Sequence, residues 1–326
     1  MPAPVRRKLL ACSWILVLPL VLAGAALAGS GGIAPPARSP NAHGIRDLHW
    51  LLLGITGTIF VLVEGALLLF VVRFRSRGRG REVEGPQIRG HRRLELLWTG
   101  VPVLILAVII SVVFYKLGGI QDVRASGPAG PKMTVRVEGH QFYWRYTYPN
   151  GATSVNELRV PVDRPVELVV TAPVDDVAHS WWVPALAGKM DAIPGKTNRT
   201  WFMAERPGVY KGQCAEFCGV QHALMVASVR AVPEAEYETW VSARLKGGPD
   251  LGQETFAGAC SPCHGLEGEG LIGPPLKGNA TLADRQRMIQ LLRNGKNAMP
   301  PVGRNWDERQ LKALISYVQR EFAGGG

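Results

Sequence analysis

Two apolar runs, Leu48 to Val72 and Leu96 to Tyr115, constrain this chain most. Each reaches the roughly 20 residues needed to cross a bilayer, so helices are expected over about 48–72 and 94–117. Only a basic stretch separates them: Arg73 to Arg93 carries eight arginines against Glu82 and Glu84. A transmembrane hairpin follows, within 29–120, and the positive-inside rule puts the arginine loop in the cytoplasm. Everything after Lys116 then lies outside. Arg6, Arg7 and Lys8 precede a third, shorter run from Leu9 to Leu22, which ends in the small residues Ala26-Leu27-Ala28. Residues 1–28 therefore read as an export signal cleaved before Gly29, with an uncleaved anchor helix as the alternative. These two basic clusters account for nine charges of the net +11. The charge is topological, and no nucleic-acid partner is expected.

Beyond the hairpin the composition changes twice. Gly118 to Pro131 reads as a linker. From 131 to 232, short β-type runs alternate with Pro and Gly: Met133–Val137, Phe142–Tyr148, Val166–Thr171, Gly208–Lys211 and Leu224–Val232. Such a series predicts a β-sandwich. A helix starting at Pro233 and a Gly-Gly-Pro linker fill 233–249. Residues 250–326 read as all-α, with helices over 251–263, 282–293 and 306–322 and Asn305 as the N-cap of the last.

Four cysteines fall in this outer part, where two disulfides would be ordinary. Their neighbours argue for other chemistry. Cys214-Ala215-Glu216-Phe217-Cys218 is followed by His222 and Met225, and His179 supplies a second imidazole from upstream. Thiolate, imidazole and thioether form a soft set suited to copper. A mononuclear blue-copper site uses one cysteine, whereas two coppers bridged by both sulfurs use the whole set. Neither a disulfide nor a structural zinc needs Met225.

Cys260-Ser261-Pro262-Cys263-His264 is the covalent attachment sequence for a c-type haem, with His264 as one axial ligand. A second ligand is commonly methionine. Met299, in a loop beside Pro300-Pro301, is favoured over Met288, which occupies a helical core position. Pro274 is expected to orient His264 through its carbonyl.

The segments Gly139-His140-Gln141-Phe142-Tyr143-Trp144, His179-Ser180-Trp181-Trp182-Val183-Pro184, Lys189 to Gly195 and Cys214 to Gly219 together resemble subunit II of cytochrome c oxidase. Residues 250–322 resemble a class I cytochrome c, so the whole is similar to the caa-type haem–copper oxidases. The resemblance implies a transmembrane hairpin, a cupredoxin-like domain with a mixed-valence dinuclear copper centre, and an all-α cytochrome c domain. It implies His179, Cys214, Cys218, His222 and Met225 as copper ligands, with Glu216 giving its backbone carbonyl to copper and its carboxylate to a magnesium ion at the junction with subunit I. It further implies a proton-path role for Glu95, which could equally be an interfacial acid paired with Arg92 or Arg93. The resemblance assigns no role to Glu64, deep in the first span; at that depth it is expected protonated, or paired, facing subunit I.

The family usually has Trp where Phe142 stands, a residue the resemblance links to electron entry from a soluble cytochrome. His140 is expected as a hydrogen-bonded structural histidine, and Trp144 and Trp182 as core residues. The implied partners are subunit I, other oxidase subunits and a donor such as cytochrome c or a cytochrome bc-type complex, at a bacterial inner membrane with both redox domains outside. Residues 250–326 hold nine basic and eight acidic residues, so electrostatic docking of an acidic donor is not demanded. A fused carrier would meet the copper domain at roughly millimolar effective concentration. Two rivals share parts of this pattern: the corresponding subunit of a copper-containing nitric oxide reductase, and a copper-delivery protein. The latter would lack both the strand-rich run and the haem motif, and a quinol-oxidising homologue would lack the soft ligands.

Overall fold

A computed structural model describes residues 35–75, 87–122, 132–246 and 250–323. The expected signal, Cys12 and much of the arginine loop lie outside them. The described residues fall into two compact units, one within 43–122 and the other from residues 35–42 and 132–323.

The smaller unit contains most of helix α1 (Pro40–Arg73) and all of α2 (Arg92–Gln121), both longer than the apolar runs alone. Lys116 of α2 pairs with Asp47 of α1 at 3.0 Å. A Cβ on Gly44 would come within 3.0 Å of Ile120, so a glycine there allows close approach. Leucine, valine and phenylalanine side chains stand exposed along both helices. In water that surface would be costly; in lipid it is the favoured arrangement. The first turn of α2 is capped reciprocally. The His91 side chain accepts from the Leu94 amide at 3.3 Å, and the Glu95 carboxylate accepts from the His91 amide at 3.0 Å. Glu64 lies exposed on α1.

The larger unit begins with Arg38 to Asn41, which are tied to the β-domain: Arg38 N–H donates to Ala185 O and Asn41 to Trp201 O. The domain holds ten strands: β1 (Met133–His140), β2 (Tyr143–Thr147), β3 (Thr153–Val155), β4 (Glu157–Pro161), β5 (Val166–Thr171), β6 (His179–Trp182), β7 (Met190–Ala192), β8 (Asn198–Phe202), β9 (Gly208–Cys214) and β10 (Val226–Val232). They form two five-stranded sheets, β3-β2-β1-β5-β8 and β4-β10-β9-β6-β7. The β1–β5 and β4–β10 pairs are parallel and the rest antiparallel. Alternation decides what fills the space between the sheets. On β1, Met133, Val135 and Val137 are buried while Arg136 is exposed. Trp144, Trp181, Phe202, Leu158 and Leu168 complete this core. Trp144 is fully buried as expected. In the Trp181-Trp182 pair, however, Trp181 is the core residue and Trp182 is only half-buried, because period-2 geometry puts alternate residues on opposite faces.

Helix α3 (Glu234–Leu245) has Pro233 as its N-cap, one position outside the helix. It lays Tyr237 and Trp240 against the sandwich, Trp240 meeting Tyr148 edge-on at 5.1 Å.

The cytochrome region is built from α4 (Asp250–Thr255), a π-turn over Phe256–Cys260, the short α5 (Ser261–His264), α6 (Arg285–Asn294) and α7 (Glu308–Val318). The cap of α7 is Asp307, which accepts from the Gln310 amide at 2.8 Å, and not Asn305, because the helix begins at Glu308 and Asp307 is the residue next to its first turn. Helices α4 and α7 cross closely at Gly252, where a Cβ would collide with the Ala313 carbonyl. The core comprises Phe256, Met288, Leu292, Trp306, Leu311, Leu314, Ile315 and Phe322, and it also takes in Tyr143 and Val155 of the β-domain. The two domains share buried apolar surface.

Candidate metal and haem centres

The copper-type residues converge at one end of the second sheet. Strand β6 delivers His179 beside the end of β9, where Trp181 pairs with Cys214. The chain then turns through Cys218 and a 3₁₀ turn, His222–Leu224, before returning as β10. Backbone bonds close the loop: Ala215 N–H donates to Ser180 O at 2.8 Å, and Cys214 N–H to Met225 O at 2.9 Å.

The ligand atoms of His179, Cys214 and Cys218 lie within 4.8 Å of one another, all buried. Cys218 Sγ is 3.5 Å from His222 Nδ1 and 3.7 Å from Met225 Sδ, and the Glu216 carbonyl oxygen lies 3.2 Å from Cys214 Sγ. Neither cysteine is in a disulfide. Six predicted positions therefore meet around one small volume, although the Glu216 carboxylate itself is exposed.

Two observations test whether a soft metal fits. His179 Nδ1 is buried with no hydrogen-bond partner, while its Nε2 is held by Asp176 Oδ1 at 3.2 Å. An imidazole fixed by a carboxylate on one nitrogen with the other nitrogen free is how a metal ligand is oriented. The thiols add a second indication. Burial, together with Cys214 beside it, pushes the Cys218 thiol up to about 12. Burial also raises Cys214, but His179 and the Ser180 and Glu216 backbone groups outweigh it and lower the thiol overall. Burial alone would lower His179, yet Asp176 and Cys214 hold it above its ordinary value. Two close thiolates resist sharing a site unless a cation replaces their protons. The donor set fits copper.

Asp176 and Gln141, whose amide donates to Cys218 O, escaped the sequence reading. The Asp-x-x-His spacing before His179 was the available signal for the first; nothing marked the second. Phe142 lies against the Cys218–Gly219 turn, where a Cβ on Gly219 would approach its ring to 3.0 Å. His140 departs from expectation. Its ring is buried and stacked on Tyr143 at 4.8 Å, its Nε2 has no hydrogen-bond partner, and Asp176 Oδ2 stands 3.8 Å from Nδ1. Burial, opposed by Glu138 and Asp176, pushes it down to about 4, so it is neutral at ordinary pH.

The haem-type residues sit on the π-turn and α5. Cys260, Cys263 and His264 are each half-buried. His264 Nδ1 bonds the Pro274 carbonyl at 2.8 Å, which fixes the ring and leaves Nε2 as the nitrogen that could hold a metal. Gly273 makes this packing possible: a Cβ there would stand 2.8 Å from the imidazole. Leu266, Leu271 and Ile272, close to the motif in sequence, are largely exposed, a suitable apolar surface for a macrocycle. Met299 is half-buried in its loop, whereas Met288 is buried in the core.

Comparison with known proteins places the chain in one family. The description "Cytochrome C oxidase subunit II, transmembrane domain" matches residues 29–117, and "Cytochrome C oxidase subunit II, periplasmic domain" matches 152–232. "Cytochrome C oxidase, cbb3-type, subunit III" matches 247–318. Cytochrome c oxidase subunit 2 of Alkalihalophilus pseudofirmus is 30% identical over 308 residues, covering 86% of this chain and 88% of that protein. The Synechocystis protein of the same name is 33% identical over 254 residues, 65% of this chain and 76% of its own. The periplasmic domain of the Bradyrhizobium japonicum subunit II is 36% identical over 35% of this chain and 94% of that one, with a TM-score of 0.34. A copper centre, a haem c, membrane helices and a periplasmic location for the folded domains come with these matches. The chain belongs to the cytochrome c oxidase subunit II family and is the subunit through which electrons reach the oxygen-reducing partner of a haem–copper oxidase, with a cytochrome c domain fused behind its copper domain.

Proposed function

We propose that this chain serves a caa-type oxidase of a bacterial inner membrane, and that its copper centre is dinuclear. The observation that carries the reading is the convergence of two thiols, two imidazoles and a thioether, with the free Nδ1 of His179 among them. Cys214, Cys218, His179, His222 and Met225 would hold the copper through their side chains, and Glu216 through its backbone carbonyl. Asp176 orients His179. Cys260 and Cys263 would hold haem c covalently, His264 and Met299 would hold its iron, and Pro274 fixes the His264 ring.

When bound, the two groups supply one-electron exchange. The protein's part is to fix their ligands, exclude water from the thiols and keep both on the outer side of the membrane. Reduced cytochrome c or a cytochrome bc-type complex would be the donor, and the mixed charge around the haem domain would make docking weakly salt-dependent. The Glu216 carboxylate, exposed beside the copper loop, would reach magnesium at the subunit I junction. Glu95, which caps α2, would stand at the mouth of a proton path. The arginine loop would face the cytoplasm.

Elemental analysis of the purified complex should return two copper atoms in this chain and one covalent haem c, with near-infrared absorption from a mixed-valence pair. Oxygen should be consumed and nitric oxide not reduced. One copper per chain, or a Cys214–Cys218 disulfide in the active protein, would overturn the assignment.

A further inference from the structure

The cytochrome domain is locked onto the copper domain, and one side chain does so at the two candidate centres themselves. Gln221 immediately precedes the copper-type residue His222. It is buried, 4% exposed, and its amide reaches into the haem-attachment turn. Nε2 donates to the Pro262 carbonyl at 2.7 Å, and Oε1 faces Cys263 Sγ at 3.8 Å. Its own backbone carbonyl accepts from Leu224 inside the 3₁₀ turn, so the residue is held by the copper loop while it grips the haem motif.

Elsewhere the contact is anchored independently. Trp306 Nε1 donates to Tyr143 OH at 2.9 Å, and that hydroxyl donates to Val302 O at 3.0 Å. Arg145, itself buried, donates to Asn305 O at 3.1 Å, and Arg304 pairs with Asp175. These contacts seat the domain through residues 302–307, but none of them touches the Cys-x-x-Cys-His turn.

We propose that Gln221 is a positioning residue, a clamp that fixes the haem-attachment turn against the copper loop so that electrons pass between the two centres within a docked unit. The inference rests on the ligand assignments proposed above. The exchange moves one electron, oxidising the haem iron and reducing the copper centre, with no proton transferred and no bond made or broken. Its rate depends steeply on the gap between the centres. A buried side chain whose backbone is bonded into the copper loop and whose amide is bonded to the haem-attachment turn holds that gap at one value, where a flexible tether would let it vary. Burial makes the bond matter: a lost partner would leave the Pro262 carbonyl unsatisfied, and opening the turn would then be the way to rehydrate it.

Gln221→Met tests this in the intact complex, because it keeps volume and removes only the amide. Copper and haem content, and the near-infrared and haem spectra, should match the parent. The amides of Gly265, Gly270 and Gly273, which close the attachment turn, should exchange with solvent about tenfold faster. Electron equilibration between the centres after a light-triggered injection should slow, while reduction of the copper centre by a small external reductant should not. Gln221→Asn, which keeps the amide on a shorter arm, should behave like Gln221→Met and is the variant to read if Gln221→Met fails to load copper. Parent-like exchange and equilibration in a fully loaded variant would overturn the clamp and leave the ligand assignments standing. A parent complex lacking either group would overturn both.

Discussion

The copper loop and the haem-attachment turn are neighbours in the same folded unit, yet they present their ligands in opposite ways. His179, Cys214, Cys218 and Met225 are buried among the side chains of a sandwich that has its own core of aromatic and β-branched residues. Cys260, Cys263, His264 and Met299 are half-buried, and the leucines and isoleucine nearby are largely exposed. A metal ion is small and adds little area, so the β-domain must be complete before it binds. Haem is large and apolar, and a cytochrome of about 75 residues falls in the size range where a core alone supplies little stability. One site is a clasp on a finished fold. The other is part of a core that its prosthetic group completes.

The comparison is broken most severely by removing haem. Cys263→Ser should abolish stable attachment, and the helical region should lose cooperative melting while the sandwich stays folded. Circular dichroism and a haem stain of the denatured chain would read both effects, and a haem-free cytochrome region that melts as before would refute the contrast. Cys218→Ser should reduce copper to one per chain or fewer and erase the near-infrared band, with the sandwich still melting cooperatively. Collapse of the sandwich would show that the clasp is part of its core after all.

Tyr143→Phe sharpens the comparison at the seam. It leaves the buried Trp306 Nε1 without its acceptor and should cost about 1–3 kcal/mol. The loss should appear in denaturation of the cytochrome region with the copper spectrum unchanged; equal loss in both would mean that the domains unfold as one.

Acid gives the smallest effect and separates two carboxylates by sign. Burial raises Glu157, but Arg230 and Arg159 outweigh it and hold the group below its usual 4.5. Its contribution is present above that value and fades as pH falls through the lower, folded one. Burial keeps Glu254 above the usual range despite Arg244, so its contribution is present at low pH and fades as pH rises through the folded value. Glu157→Gln should flatten the acid limb of β-domain stability by less than about 1 kcal/mol, since these pairs are partly exposed. Glu254→Gln should flatten the slope at higher pH. Denaturant midpoints between pH 3 and 7 would show whether the slopes oppose.

Elements with strong local signals were legible. Strands β1, β2, β5, β9 and β10 come from the alternating or β-branched runs, and both membrane helices come from uninterrupted apolar stretches. Strands β3, β6 and β7 are three or four residues long, too short for a period to show, and β8 mixes Asn, Arg and Thr with its aromatics. The cap of α7 moved from Asn305 to Asp307 because cap choice depends on where the preceding loop lets the chain turn. Met288 was readable as core from its helical position, while the stacking of His140 on Tyr143 was not, since it depends on β1 and β2 pairing at those residues.

The sequence alone determined the chemistry. Cys214, Cys218, His222 and Met225 are close along the chain, as are Cys260, Cys263 and His264, so chain connectivity brings them near one another before any core forms. It also determined the membrane hairpin, because the length of an apolar run is a local property. Tertiary structure decided what arrives from a distance: His179 beside Cys214 through the β6–β9 pairing, Asp176 behind His179, and the cytochrome domain seated on Tyr143 and Gln221. Those contacts join residues far apart in the chain, and only burial of shared surface selects which of them meet.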